Sequence, residues 1–115
     1  MNMLARVFPI KSRAALVAFA KAIDERPDKE KEAFFGRFSG TVRECWFYQE
    51  IDGRPHVVSV TESSSPLDPG FDAYGKADDP FTQWFRKEAL ALTGFDLRRA
   101  PKGPPAELVY ELKAR

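Results

Sequence analysis

Residues 42–61 read VRECWFYQEIDGRPHVVSVT, and the pair Asp52-Gly53 divides them into two runs of strand-forming residues. Aromatic and β-branched side chains suit a pleated, half-buried surface, so Val42 to Ile51 reads as a strand and His56 to Thr61 as its partner. Asp-Gly takes positive φ at low steric cost, which is what a tight hairpin loop requires. The two strands therefore form an antiparallel hairpin. Successive strand residues point to opposite faces, so Cys45 and Phe47 lie on one side and Trp46 and Tyr48 on the other. Neither side is polar.

Upstream of the hairpin, Met3 to Ile10 is rich in strand formers, and Pro9, which cannot donate to a ladder, suits its end. Ser12 is placed to cap a helix running to about Glu25, because Leu16, Phe19, Ala20 and Ile23 recur at three- and four-residue intervals. Pro27 interrupts, and Asp28 to Phe35 resumes as a second helix with Pro27 in its first turn. The mixed charges from Asp24 to Glu32 fit either a solvated helix face or a docking surface. Gly36 and Gly40 flank the break before the hairpin.

Downstream, Ser63 to Ala77 has no periodicity and is long for a loop in a compact domain, so it reads as a lid or a mobile connection. Asp78 or Asp79 caps the next helix, Pro80 fits its first position, and Phe81, Trp84, Phe85 and Leu92 supply a wide apolar face. Gly94 stops it. Pro101 to Pro105 permits only an extended connection, and Glu107 to Leu112 reads as a last strand.

A length of 115 residues, 43% hydrophobic and 30% charged, predicts a single domain over 1–115. Eighteen basic residues against seventeen acidic ones leave a formal charge of only +1, which disfavours general nucleic-acid or anionic-membrane binding. One cysteine, Cys45, cannot form an intramolecular disulfide and points to a reducing compartment. With one histidine, His56, it also falls short of the ligand set of ordinary zinc sites, which leaves only a site built of carboxylates open; the expectation is no metal and no cofactor. The longest apolar run, Ala14 to Ala20, is too short to span a bilayer, and Lys21 directly after it favours an amphipathic helix over a signal peptide. The expectation is a cytoplasmic protein with no nucleic-acid or membrane partner.

The order strand, helix, strand, strand, helix, strand is the ferredoxin-like βαββαβ pattern: an α+β fold in which a four-stranded antiparallel sheet, order 4-1-3-2, carries its helices on one face. The other face ought then to be polar. Instead the first strand sets Met3, Ala5 and Val7 against Leu4 and Phe8, apolar on both sides like the hairpin. Burial contributes ~25 cal/mol per Å² of apolar surface, so a bare second face would be adhesive. Its economical cover is a second copy of the same sheet, and a homodimer is expected.

Here the chain resembles the dimeric α+β barrel superfamily, which includes antibiotic-biosynthesis-type monooxygenases, muconolactone-isomerase-like proteins and many small bacterial proteins without assigned activity. The likeness covers the element order, and locally Arg43-Glu44-Cys45-Trp46-Phe47-Tyr48 and Asp79-Pro80-Phe81-Thr82-Gln83-Trp84 look like segments of that last branch. It implies a ligand cavity between two facing sheets.

If Cys45, Phe47, Val58 and Val60 face the helices, the inter-sheet cavity receives Leu4, Arg6, Phe8, Glu44, Trp46, Tyr48, Glu50, Val57, Ser59 and Thr61. Aromatic walls with a few convergent polar groups are typical of small-ligand sites, and Arg6, Glu44, Trp46, Tyr48, Ser59 and Thr61 are the candidate ligand-binding residues. Arg6 suits a ligand carboxylate, Glu44 a base, Tyr48 a hydrogen-bond donor. Alternatively Arg6 and Glu44 pair with each other while Trp46 and Tyr48 pack the interface. Cys45 reads as buried and inert, and His56 as exposed or capping.

Three functions follow: binding of a small, aromatic and anionic organic molecule; a cofactor-independent monooxygenase or isomerase with Glu44 as base; or a structural or regulatory interaction module. Several relatives of the fold are excluded by missing residues. His56 to Thr61 has no aromatic on which an RNA base could stack. Asn2 is the single asparagine, which removes a residue that haem-degrading members and acylphosphatases require.

Overall fold

A computed structural model describes residues 2–37, 40–64, 77–96 and 107–114. Among these, the order is β1 (Asn2–Pro9), α1 (Arg13–Asp24), α2 (Asp28–Arg37), β2 (Thr41–Ile51), β3 (Arg54–Ser63) and α3 (Pro80–Thr93). The fold is α+β, and the described residues form three helices and a three-stranded antiparallel sheet in the order β1-β3-β2. Since β1 and β2 are each antiparallel to β3, they run parallel to one another, joined by the helical crossover through α1 and α2.

The local chemistry explains where the elements start and stop. At the hairpin, Ile51 pairs with Arg54 across Asp52 and Gly53, whose φ values of 52° and 73° are the two positive angles of a type I′ turn. The Ser12 side chain accepts the Ala15 amide at 3.1 Å and caps α1. The expected place of Pro27 shifts by one residue: its carbonyl accepts the amides of Glu30 and Lys31, so it caps α2 and lies ahead of the first turn. Asp79 caps α3 twice, accepting from the Thr82 amide at 3.1 Å and from the fully buried Thr82 hydroxyl at 2.7 Å. Gly94 ends α3 at φ 74°, a left-handed conformation costly for residues with a Cβ.

The helices cover one sheet face. Leu16 and Phe19 from α1, Phe34 from α2, and Phe81, Phe85, Ala89 and Leu92 from α3 are buried against Val57 of the central strand and Ile10. Ring contacts knit the layers: Phe19 lies 5.4 Å from Trp46 and 5.2 Å from Phe85, and Phe34 lies 4.9 Å from Phe85 and 5.0 Å from Phe81. The end of β1 is tied to two other elements, with the Ile10 amide donating to the Pro55 carbonyl and the Lys11 amide to that of Leu92.

The expected fourth strand does not form. Residues 107–114 have no regular structure, and Val109, 87% exposed, and Tyr110, 74% exposed, stand in solvent. Alternation of Leu108, Tyr110 and Leu112 with Glu107 and Glu111 describes a segment suited to a half-buried surface, but none of the described strands pairs with it. The four-stranded order 4-1-3-2 is therefore reduced to 1-3-2 among the described residues. Most of the expected loop, 65–76, lies outside them.

Candidate functional site

Strand pairing sorts every sheet residue onto a face. Leu4, Thr61 and Glu44 form one cross-strand row, Arg6, Ser59 and Trp46 the next, and Phe8, Val57 and Tyr48 a third. All three rows face the helices, since Val57 is buried in the core and Phe8, Trp46 and Tyr48 pack against it. The intervening rows, Ala5-Val60-Cys45 and Val7-Val58-Phe47, lie on the open face, where Val7 is 53% and Phe47 57% exposed.

This inverts the expected assignment of faces. Arg6, Glu44, Trp46, Tyr48, Ser59 and Thr61 lie under the helices, and Cys45, Phe47, Val58 and Val60 do not. The reason is volume: Trp46 fills the space between Phe19 and Phe85, which a cysteine or valine would leave void. The register break in β2 falls between Thr41 and Arg43, too early to alter the parity of the residues that follow. Cys45 is likewise not a core residue; half-exposed on the open face, its sulfur accepts from Arg43 Nε at 3.1 Å. His56 lies on the open face at the turn end of β3, half-exposed, with Nδ1 2.9 Å from the Arg54 carbonyl.

On the covered side a groove of about 850 Å³ opens between α1, α2, α3 and β2. Phe34, Trp46, Phe81 and Phe85 line it, and Glu44 presents the carboxyl among them. Thr61 Oγ1 donates to Glu44 Oε1 at 3.1 Å from the neighbouring strand. Asp24, Asp28, Lys31, Glu32 and Arg43 complete the charged lining. Lys31 is held in place by Asp28 at 3.2 Å and by the Asp24 carbonyl at 3.3 Å.

Of the candidate residues, the groove brings together Glu44 and Trp46, with Thr61 behind them. Arg6, Ser59 and Tyr48 are not part of its lining, and the Tyr48 hydroxyl donates instead to Glu50 at 3.2 Å. Sequence reading missed Phe34, Phe81 and Phe85 as site residues, because their helical spacing marks a core face and a groove wall alike. The charge run from Asp24 to Glu32 was the available signal, since its exposed side forms the rim.

Desolvation pushes the Glu44 carboxyl above the usual glutamate range, and hydrogen bonds from Thr61 and the Trp46 side chain pull it partly back. A raised native value means that the folded state holds this proton more tightly than the unfolded chain. Stability from this group is therefore complete at acid pH, below the unfolded glutamate range, and is lost as pH rises through the native value. Replacing Glu44 by Gln removes the charge and keeps an acceptor for Thr61. Glu44→Gln is thus expected to exceed wild type in denaturant stability at pH 8, with the gap closing by pH 4. A gap that stays constant with pH would show that the carboxyl is not desolvated.

Among the described residues there is no group of three or more His, Cys, Asp and Glu side chains placed to hold a metal ion, and no helix long and apolar enough to cross a membrane. Compared with protein-family models, curated proteins and solved structures, the chain has no match in any of the three.

Proposed function

We propose that the chain binds a small organic molecule in the groove between sheet and helices, and that it works as a homodimer joined through the open sheet face. The observation that carries the first part is a half-buried carboxyl among four aromatic side chains, in a space within the roughly 300–1,000 Å³ of ordinary ligand sites. Apolar walls provide affinity by excluding water, and one placed polar group provides orientation. In this reading the ligand lies inside each protomer rather than between two sheets. The dimer is supported by the apolar centre of the open face, Ala5, Val60, Cys45, Val7, Val58 and Phe47, flanked by polar rows at Glu62-Arg43 and His56-Gln49. An apolar middle with a polar rim is how protein interfaces are built.

A fragment screen by two-dimensional NMR tests the ligand site. Binders are expected to move the Trp46 indole resonance and the methyl signals of Ala20 and Ile23. Fragments that perturb only open-face residues, or a library that perturbs none, would leave an interaction module as the better account.

The Glu44 carboxyl supports a second reading, acid–base catalysis of an isomerase or cofactor-independent oxygenase type, because burial that raises a carboxyl's pKa makes its ionised form a stronger base. On that reading Glu44→Gln abolishes turnover of a bound substrate while binding persists.

A further inference from the structure

Chemical complementarity narrows the class of molecule that fits the groove. The lining carries four carboxyls, Asp24, Asp28, Glu32 and Glu44, against two cationic side chains, Lys31 and Arg43. Lys31 and Asp28 cancel as an ion pair, with the Asp24 carbonyl also accepting from Lys31, and the Arg43 guanidinium donates to the Cys45 sulfur on the opposite face of β2, which leaves Asp24, Glu32 and Glu44 to set the sign of the groove. Glu44 offers acceptor oxygens, and although Thr61 and the Trp46 side chain each direct a hydrogen bond at the carboxylate, it retains lone pairs for a further donor. An anionic ligand would meet an excess of like charge here, and a neutral one would leave that excess uncompensated.

The aromatic walls point the same way. Ring faces attract cations through their quadrupoles, most strongly when water is excluded. The same cluster already holds one cation: the Arg26 guanidinium lies 4.1 Å from the Trp84 ring centre and 5.8 Å from that of Phe81, which also lines the groove.

Resting on the small-ligand reading above, we propose that the groove selects an organic cation: an ammonium group paired with Glu44, attached to an aromatic or apolar body packed against the groove-facing edges of Trp46, Phe34 and Phe85. This replaces the anionic ligand expected of Arg6, which lies two strands from Glu44 and outside the groove lining. Pairing with an ammonium favours the ionised form of Glu44, so binding and ionisation of that carboxyl are linked. Asp24, Glu32 and the Asp28–Lys31 pair share the groove, with the Arg26 guanidinium over Phe81 and Trp84 at its edge, and all act on the same carboxyl.

Three probes of matched shape decide the matter: 2-phenylethylammonium, 2-phenylethanol and phenylacetate, each titrated into the full chain and followed at the Trp46 indole signal. The amine is expected to bind about tenfold tighter than the alcohol, a ratio that corresponds to ~1.4 kcal/mol. That preference should shrink towards unity in Glu44→Gln, and in wild type as pH falls and Glu44 protonates. The wild-type pH series needs no variant and keeps the test sound if Glu44→Gln does not fold. Equal binding of alcohol and amine, tighter binding of phenylacetate, or an amine preference that survives in Glu44→Gln would overturn the cation assignment while leaving a ligand groove. Failure of all three probes to move Trp46 would remove both.

Discussion

Phe85→Ala is expected to destabilise the fold by about 3–5 kcal/mol, the cost of deleting a buried ring whose cavity the surroundings cannot fill. Phe85 is 9% exposed and contacts rings from three other elements: Phe19 of α1 at 5.2 Å, Phe34 of α2 at 4.9 Å and Trp46 of β2 at 6.4 Å. It is the point at which the three described helices meet the sheet. Since small domains have about 5–15 kcal/mol of stability in total, the variant should stand near the edge of folding. Urea denaturation followed by circular dichroism measures the effect. A loss under about 1 kcal/mol would mean that the aromatic layer repacks freely and that the groove walls are not rigid.

The second large effect concerns association rather than stability. Phe47, in the centre of the open face, pairs across the sheet with Val58, which pairs in turn with Val7. If a second copy covers this face, Phe47→Glu places a carboxylate on each side of a dry interface, where like charges are strongly unfavourable. Wild type is expected to sediment as a dimer at tens of micromolar and Phe47→Glu as a monomer, with stability of the isolated subunit unchanged to within ~0.5 kcal/mol because the side chain is already exposed. Cys45 gives a second readout: its thiol should react more slowly with a maleimide as protein concentration rises. A wild-type chain that stays monomeric at millimolar concentration would remove the dimer.

These outcomes bear on how far the sequence could be read. Elements whose ends are set by local chemistry were legible. Ser12, the Asp79-Pro80 pair, Asp52-Gly53 and Gly94 each satisfy or release backbone groups within a few residues of themselves, and each lies where that chemistry places it. The faces of the sheet were not legible, because parity is read from polar residues and β2 alternates cysteine and phenylalanine with tryptophan and tyrosine. Only the volume left between α1 and α3 decides that Trp46 points inward, and that volume is a property of packing. The candidate site was half legible for the same reason. Glu44, Trp46 and Thr61 were named from β2 and β3, but their partners Phe34 and Phe81 come from helices whose approach no local signal specifies. Residues 107–112 show the converse: a strand-like local pattern that none of the described strands pairs with has no regular structure and stays exposed.

The unequal spacing of the strand pairs has a consequence for how the molecule assembles. β2 meets β3 through a loop of two residues, a closure that hairpins complete in about 1–10 μs. β1 reaches the same strand only across the whole interval from Pro9 to His56, so its docking carries a larger chain-entropy cost and belongs late in folding. Until it docks, one flank of β3 offers unpaired amides and carbonyls beside a surface rich in valine. That transient species, rather than the finished domain, is where misassociation during synthesis would begin, and stiffening the Pro9 to Ser12 corner would shorten its lifetime.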